Sequence, residues 1–156
     1  MLLMCVFCCI ARGASPAYKI WEDEKYMAIL SIYPNTDGFS VVFPKDHVSS
    51  YAFALDDNSL SRLTLAAKKV ALILDKAFDD VGRTGLIYEG FGVDHVHAKL
   101  FPMHGTGGNN QWKKISSNVD KFFEKYEGYV SSHDHIRANA EDLEKIAILI
   151  KEKNAD

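Results

Sequence analysis

The chain has 156 residues, the size of one ordinary domain, and a chain of that length buries roughly 70% of the surface its unfolded form exposes. With 47% apolar and 25% charged residues, its composition argues against intrinsic disorder, collagen-like repeats and coiled coil. Eighteen Lys and Arg against 21 Asp and Glu leave a net charge of −3, which gives no electrostatic reason to bind nucleic acid or an acidic membrane surface.

Cys5, Cys8 and Cys9 are the only cysteines. Packed into one short segment, they cannot staple a fold with disulfides, and the pattern fits a reducing, cytoplasmic setting. Residues 1–10 form an apolar run like the core of a secretory signal. No Lys or Arg precedes it, however, and a Cys-Val-Phe-Cys step is out of place in a segment meant for removal. At about ten residues it is too short to span a bilayer.

Residues 18–22, 26–32 and 39–43 read as strands. Asp23-Glu24-Lys25 and Pro34-Asn35-Thr36-Asp37-Gly38 separate them with turn chemistry, which predicts an antiparallel meander. From residue 57 to 78 the spacing changes. Leu60, Leu63, Ala67, Val70, Leu74, Ala77 and Phe78 recur at three and four, the signature of a helix with one buried face. Asp56 or Asp57 suits its N-cap, and Gly82 lies just past its end.

Residues 85–89 and 94–101 read as two further strands around Gly90-Phe91-Gly92. The Gly105 to Asn110 stretch is irregular and lacks the Lys-Ser/Thr ending of a phosphate-binding loop. Residues 119–126 read as a short helix, and His133-Asp134-His135 is a ligand-like run of a kind that polar loops also carry by chance. A final helix over 140–153 has Asn139 as N-cap, Leu143, Ile146, Ala147 and Ile150 inward, and lysines in its last turn.

The chemistry concentrates in His95-Val96-His97-Ala98-Lys99-Leu100-Phe101-Pro102. In a strand, Val96, Ala98 and Leu100 share one face, a core face in composition, and His95, His97 and Lys99 share the other. Polar groups on that second face would stand about 6.6 Å apart. Alternation alone fits a functional site and a solvent-facing edge strand equally well.

This strand resembles the motif of the histidine triad (HIT) family, His-φ-His-φ-His-φ-φ-Pro with φ apolar. Other segments agree in order and spacing: Cys5-Val6-Phe7-Cys8 with Ile10, then Pro16-Ala17, Glu22-Asp23, Ile32 with Pro34, Gly38, and Val42 with Pro44, Lys45 and His47. The resemblance implies an α+β HIT-like fold, an antiparallel sheet of about five strands with one long helix packed on it and a C-terminal helix. Residues 1–104 would form the domain core. Residues 105–156 would be an extension, a loop and terminal helix packed on the same domain.

It also implies a nucleotide hydrolase or nucleotidyl transferase that acts at the α-phosphate through a covalent nucleotidyl-histidine. His97 takes the nucleophile's position. A neutral imidazole is a competent nucleophile near pH 7, and a nearby backbone carbonyl would fix the tautomer this needs. Lys99 replaces the third histidine and would place an ammonium beside phosphate, while His95 either supports the site or binds metal. Phe7, Ile10, Ile29 and Ile32 match positions that line the family's base pocket, although plain core packing would use the same residues. Ser31 stands where an Asp usually grips the ribose, Tyr88 where an Asn is common, and the phosphate-contacting stretch is shortened to Phe91-Gly92. Backbone N–H groups around Gly90 and Gly92 could serve as phosphate donors instead.

Cys5, Cys8, His47 and His95 match positions that bind structural zinc in bacterial-type members, and Cys-x-x-Cys suits a tetrahedral ion. Cys9 is the spare thiol and is expected to pack inward. His104 reads as a loop histidine or a group at the mouth of the site. The implied ligand is a purine nucleotide derivative of the dinucleoside polyphosphate or nucleoside phosphoramidate class. No organic cofactor, nucleic acid or membrane partner is expected, and the family implies a homodimer. The alternatives are a catalytically weak nucleotide-binding protein on the same fold, or a Cys/His metal-binding module.

Overall fold

The computed structural model describes residues 5–107, 112, 114 and 136–155. The helix expected at 119–126 and the His133-Asp134-His135 run lie outside the described residues.

Five strands, β1 (Lys19–Glu22), β2 (Tyr26–Leu30), β3 (Ser40–Pro44), β4 (Thr84–Ile87) and β5 (Ala98–Pro102), pair antiparallel in the order β1-β2-β3-β5-β4. The first three form the expected meander. β5 then inserts between β3 and β4, placing the chemistry-bearing strand inside the sheet. Period-2 alternation divides the two faces. Ala28, Leu30, Val42, Ala98 and Leu100 enter the larger core, together with Val96. Met27, Ile29, Val41 and Phe43 form a second cluster on the opposite face.

Helix α2 (Asp57–Ala77) covers the first face. Its Asp56 side chain accepts a hydrogen bond from the Ser59 amide at 3.0 Å, satisfying an amide that has no partner within the helix. Leu63, Ala67, Val70, Leu74 and Ala77 are buried beneath it, each larger side chain contributing roughly 1.5–3 kcal/mol by leaving water. Gly82 does not cap the helix. The helix ends because Phe78 turns to extended geometry and buries its ring. Gly82 is instead fitted under Thr106, whose carbonyl oxygen would lie 2.5 Å from an added Cβ.

From Cys5 the apolar N-terminal run folds as a short helix, α1 (Val6–Ala11), which buries Phe7, Cys8 and Cys9 and sets Phe7 into the cluster on the second face. Helix α3 (Ala140–Glu152) is capped by Asn139, which accepts from the Asp142 amide at 2.8 Å, and packs Leu143, Ala147 and Ile150 inward, against α2 and β1. No helix among the described residues is long and apolar enough to cross a membrane.

The strand expected at 94–101 starts only at Ala98. The β3–β5 register, in which Val42 faces Ala98, would next set Pro44 against Val96. Proline has no amide hydrogen to give there. The Val96 amide turns to the Val48 carbonyl at 2.8 Å, and the Pro44 carbonyl takes the His95 imidazole at 2.8 Å. His95 and His97 therefore sit on a loop leading into the strand.

Candidate active site and metal cluster

Between α1 and the second sheet face lies a cleft of about 650 Å³. His97 and Lys99 line it, as do all six residues expected to contact a nucleotide: Phe7, Ile10, Ile29, Ser31, Ile32 and Gly92. Phe7 and Ile29 also pack into the second cluster, so each serves as both core and cleft wall. The Ser31 hydroxyl oxygen accepts the Tyr33 amide at 3.1 Å.

The backbone fixes the state of His97. Its Nδ1 lies 2.6 Å from the His95 carbonyl oxygen, which can only accept, so in the neutral ring Nδ1 carries the proton and Nε2 holds the lone pair. Burial, aided by the Lys99 ammonium, lowers the pKa of His97 below the ordinary histidine value. Phe7 presents its ring edge-on, with centroids 5.2 Å apart.

Lys99 is buried and ion-paired with Glu89, their side chains only 6% and 4% exposed. Tyr88, next to Glu89, faces the other way: its hydroxyl lies 2.9 Å from Thr64 Oγ1 on α2. Gly90 and Gly92 both have positive φ, +74° and +88°, a conformation glycine adopts without strain. They hold Phe91, 63% exposed, at the cleft.

Behind the cleft, Cys5, Cys8, His47 and His95 bring one donor atom each to within 4.8 Å of one another. His95 Nδ1 is 3.3 Å from Cys5 Sγ and 3.6 Å from Cys8 Sγ, and His47 Nδ1 is 3.5 Å from Cys8 Sγ. Zinc bonds of about 2.3 Å to sulfur and 2.0–2.1 Å to nitrogen set adjacent S and N ligands of a tetrahedron about 3.6 Å apart. The four residues fit such an ion. His95 is also in the correct tautomer, because Nε2 donates to Pro44 and leaves the Nδ1 lone pair toward the thiols. Burial, with Cys5 alongside, raises the Cys8 pKa. His95 belongs to this cluster rather than to the cleft lining, so the two histidines of one motif face different sites. Cys9 is buried and free.

His104 stands outside the cleft lining. It is held by Asp80 and by the Asp37 carbonyl. Three charged contributors escape sequence inspection: Glu89, Arg137 and Glu144, the last two lining the cleft from the C-terminal segment. Glu89 had a usable signal. Ile87 faces Lys99 across β4–β5, and alternation then puts Glu89 on the same side as His97 and Lys99. Arg137 and Glu144 carried none, since they lie beyond every recognisable motif.

The order of the sheet, the helix across one face and the cleft across the other define a histidine-triad fold. The HIT domain profile matches residues 12–106, and the chain belongs to this family. It is 35% identical over 107 residues to a HIT-like protein of Mycoplasma pneumoniae, covering 66% of this chain and 74% of that protein. It is 31% identical over 100 residues to the adenosine 5'-monophosphoramidase of Schizosaccharomyces pombe, covering 64% and 74%. Among solved structures, a histidine triad nucleotide-binding protein from Sulfolobus tokodaii superposes with TM-score 0.68 at 25% identity, covering 96% of this chain and 91% of its own. A zinc-bound histidine triad family protein from Mycobacterium smegmatis shares the fold at TM-score 0.69 and 22% identity, with coverage of 98% and 94%.

Proposed function

We propose that this protein hydrolyses, or transfers the nucleotidyl group of, purine nucleotide derivatives of the dinucleoside polyphosphate or nucleoside phosphoramidate class, with His97 as nucleophile. The observation that carries the reading is the His97 tautomer: Nδ1–H is committed to the His95 carbonyl, leaving the Nε2 lone pair for attack in a cleft of ligand size. Nε2 forms a bond to the α-phosphorus as the bond to the leaving group breaks, and the departing amine or phosphate takes up a proton. Water then attacks the phosphorus, the P–N bond breaks and the electron pair returns to Nε2, releasing nucleoside monophosphate. Lys99 stabilises the phosphoryl charge. Phe7, Ile10, Ile29 and Ile32 enclose the base, and the Gly92 backbone approaches phosphate. The relatedness to an adenosine 5'-monophosphoramidase supports this class of reaction.

Cys5, Cys8, His47 and His95 would hold zinc, which when bound ties α1 to the sheet and so fixes Phe7 against His97. Free cysteines suit a cytoplasmic protein, and a homodimer accords with the family. One observation favours a second reading, a nucleotide binder with weak catalysis: the Glu89 carboxylate lies against Lys99, where it opposes an incoming anion.

Rapid-quench intact-mass measurement with adenosine phosphoramidate decides between them. A nucleotidyl adduct on the wild type that is absent from His97→Ala supports the enzyme. Binding of AMP with neither adduct nor turnover supports the binder.

A further inference from the structure

The family match ends at residue 106, yet the cleft is completed by two charged residues from the C-terminal segment, Arg137 and Glu144. The segment is fastened at this point. The Ala138 amide donates to the Ile32 carbonyl at 2.9 Å, and Leu143 shares a small pocket with Leu30 and Ser31. Glu144, the next residue, therefore enters the main cleft on the side that carries Ser31.

Among the described residues that line the cleft, Glu144 is the only carboxylate. It is exposed, and within the described residues it forms no ion pair or hydrogen bond through its side chain. A lone carboxylate opposes an anionic substrate unless it meets a donor on that substrate. Remote from phosphate, nucleotides carry such donors on the base and on the ribose. With the base set between the apolar Phe7, Ile10, Ile29 and Ile32 side chains, the 2′- and 3′-hydroxyls are left to Glu144, whose two carboxylate oxygens accept one hydrogen bond from each. The Arg137 guanidinium in the same cleft offsets the added negative charge.

We propose that Glu144 is a specificity-determining residue that grips the ribose diol, so that the C-terminal helix selects ribonucleotides over deoxyribonucleotides. This rests on the nucleotide reading above. The test is calorimetric binding of AMP and 2′-deoxy-AMP to the full chain, paired with kcat and KM for adenosine phosphoramidate and its 2′-deoxy counterpart. Wild type is expected to favour the ribose form by at least about tenfold, the scale of one hydrogen bond to a charged group. Glu144→Ala should bring the two sugars within about twofold of one another, the change lying mainly in KM. Glu144→Gln, which keeps one acceptor, should fall between. Arg137→Gln should weaken both sugars alike. A ribose preference that survives in Glu144→Ala, or a wild type that binds both sugars equally, overturns the assignment and leaves the nucleotide reading standing. A wild type that binds neither nucleotide overturns both.

Discussion

Lys99, which lines the cleft, forms an ion pair with Glu89 behind it, both side chains more than nine-tenths removed from solvent. Breaking such a pair from one side strands a charge in a medium that solvates it poorly, which typically costs about 3–5 kcal/mol, whereas replacing both partners by apolar groups is often neutral. Glu89→Leu and Lys99→Met should each lower stability on that scale, and the double variant should recover most of the loss. Urea denaturation of the four proteins gives the coupling directly. Simple additivity would mean that the pair contributes no mutual stabilisation. Lys99→Met should also slow turnover beyond its effect on folding, and an unchanged rate would assign the lysine to structure alone.

The Cys5, Cys8, His47 and His95 cluster leads to a second expectation. Protein purified without chelator should carry about one zinc per chain, and stripping the metal should lower the melting temperature by several degrees, because α1 is joined to the sheet through these ligands. His47 is the exposed member. His47→Ala should weaken zinc binding at least tenfold without unfolding the domain. Elemental analysis and thermal melts with and without chelator check this. Well under one equivalent of zinc, or a melt indifferent to chelation, would leave the cluster as packed thiols and imidazoles.

Gly38 has φ +81°, and an added Cβ would stand 2.6 Å from Phe78 Cε2 and 3.1 Å from Pro102 Cγ. Gly38→Ala therefore meets two penalties, left-handed backbone strain of about 1–2 kcal/mol and overpacking of about 1–3 kcal/mol. Gly13 separates them. Its φ is +73°, but nothing lies within 4 Å of the added carbon, so Gly13→Ala should show the backbone cost alone. Equal losses at the two positions, measured by chemical denaturation, would show that the Phe78 ring yields freely.

Much of this was legible because alternation and helical spacing report which face a side chain occupies. Val96, Ala98 and Leu100 against His97 and Lys99, the buried stripe of α2 and the Asn139 cap all follow from spacing and cap chemistry. A period of two does not say which strand lies beside which, so the insertion of β5 between β3 and β4 was hidden. The late start of β5 depends on Pro44, a residue far away in sequence whose missing amide matters only once the register is known. The same limit concealed Arg137 and Glu144, which reach the cleft through the docking of α3 rather than through any local pattern.

His104 should make stability depend on pH. Nδ1 lies 3.0 Å from Asp80 Oδ1, and Nε2 lies 3.0 Å from the Asp37 carbonyl oxygen, so only the imidazolium can donate to both. Burial alone would lower the His104 pKa, but the Asp37 carbonyl and the Asp80 carboxylate outweigh it and raise the value. In turn, the hydrogen bond from His104, helped by the Gly105 amide, lowers the pKa of Asp80. A raised histidine contributes fully below its unfolded value of about 6.5 and loses that contribution as pH rises through the folded value. A lowered aspartate contributes above about 3.9 and loses it as pH falls through the folded value. The pair is therefore strongest between roughly pH 4 and 6.5. Urea midpoints at pH 6 and pH 8.5 should fall with pH more steeply in wild type than in Asp80→Asn, and high salt should shrink the difference because the pair is solvent-accessible. Burial lowers the pKa values of His95 and His97, and their contribution is common to both proteins and cancels in this comparison. Identical pH slopes in the two proteins would remove His104 and Asp80 as the source.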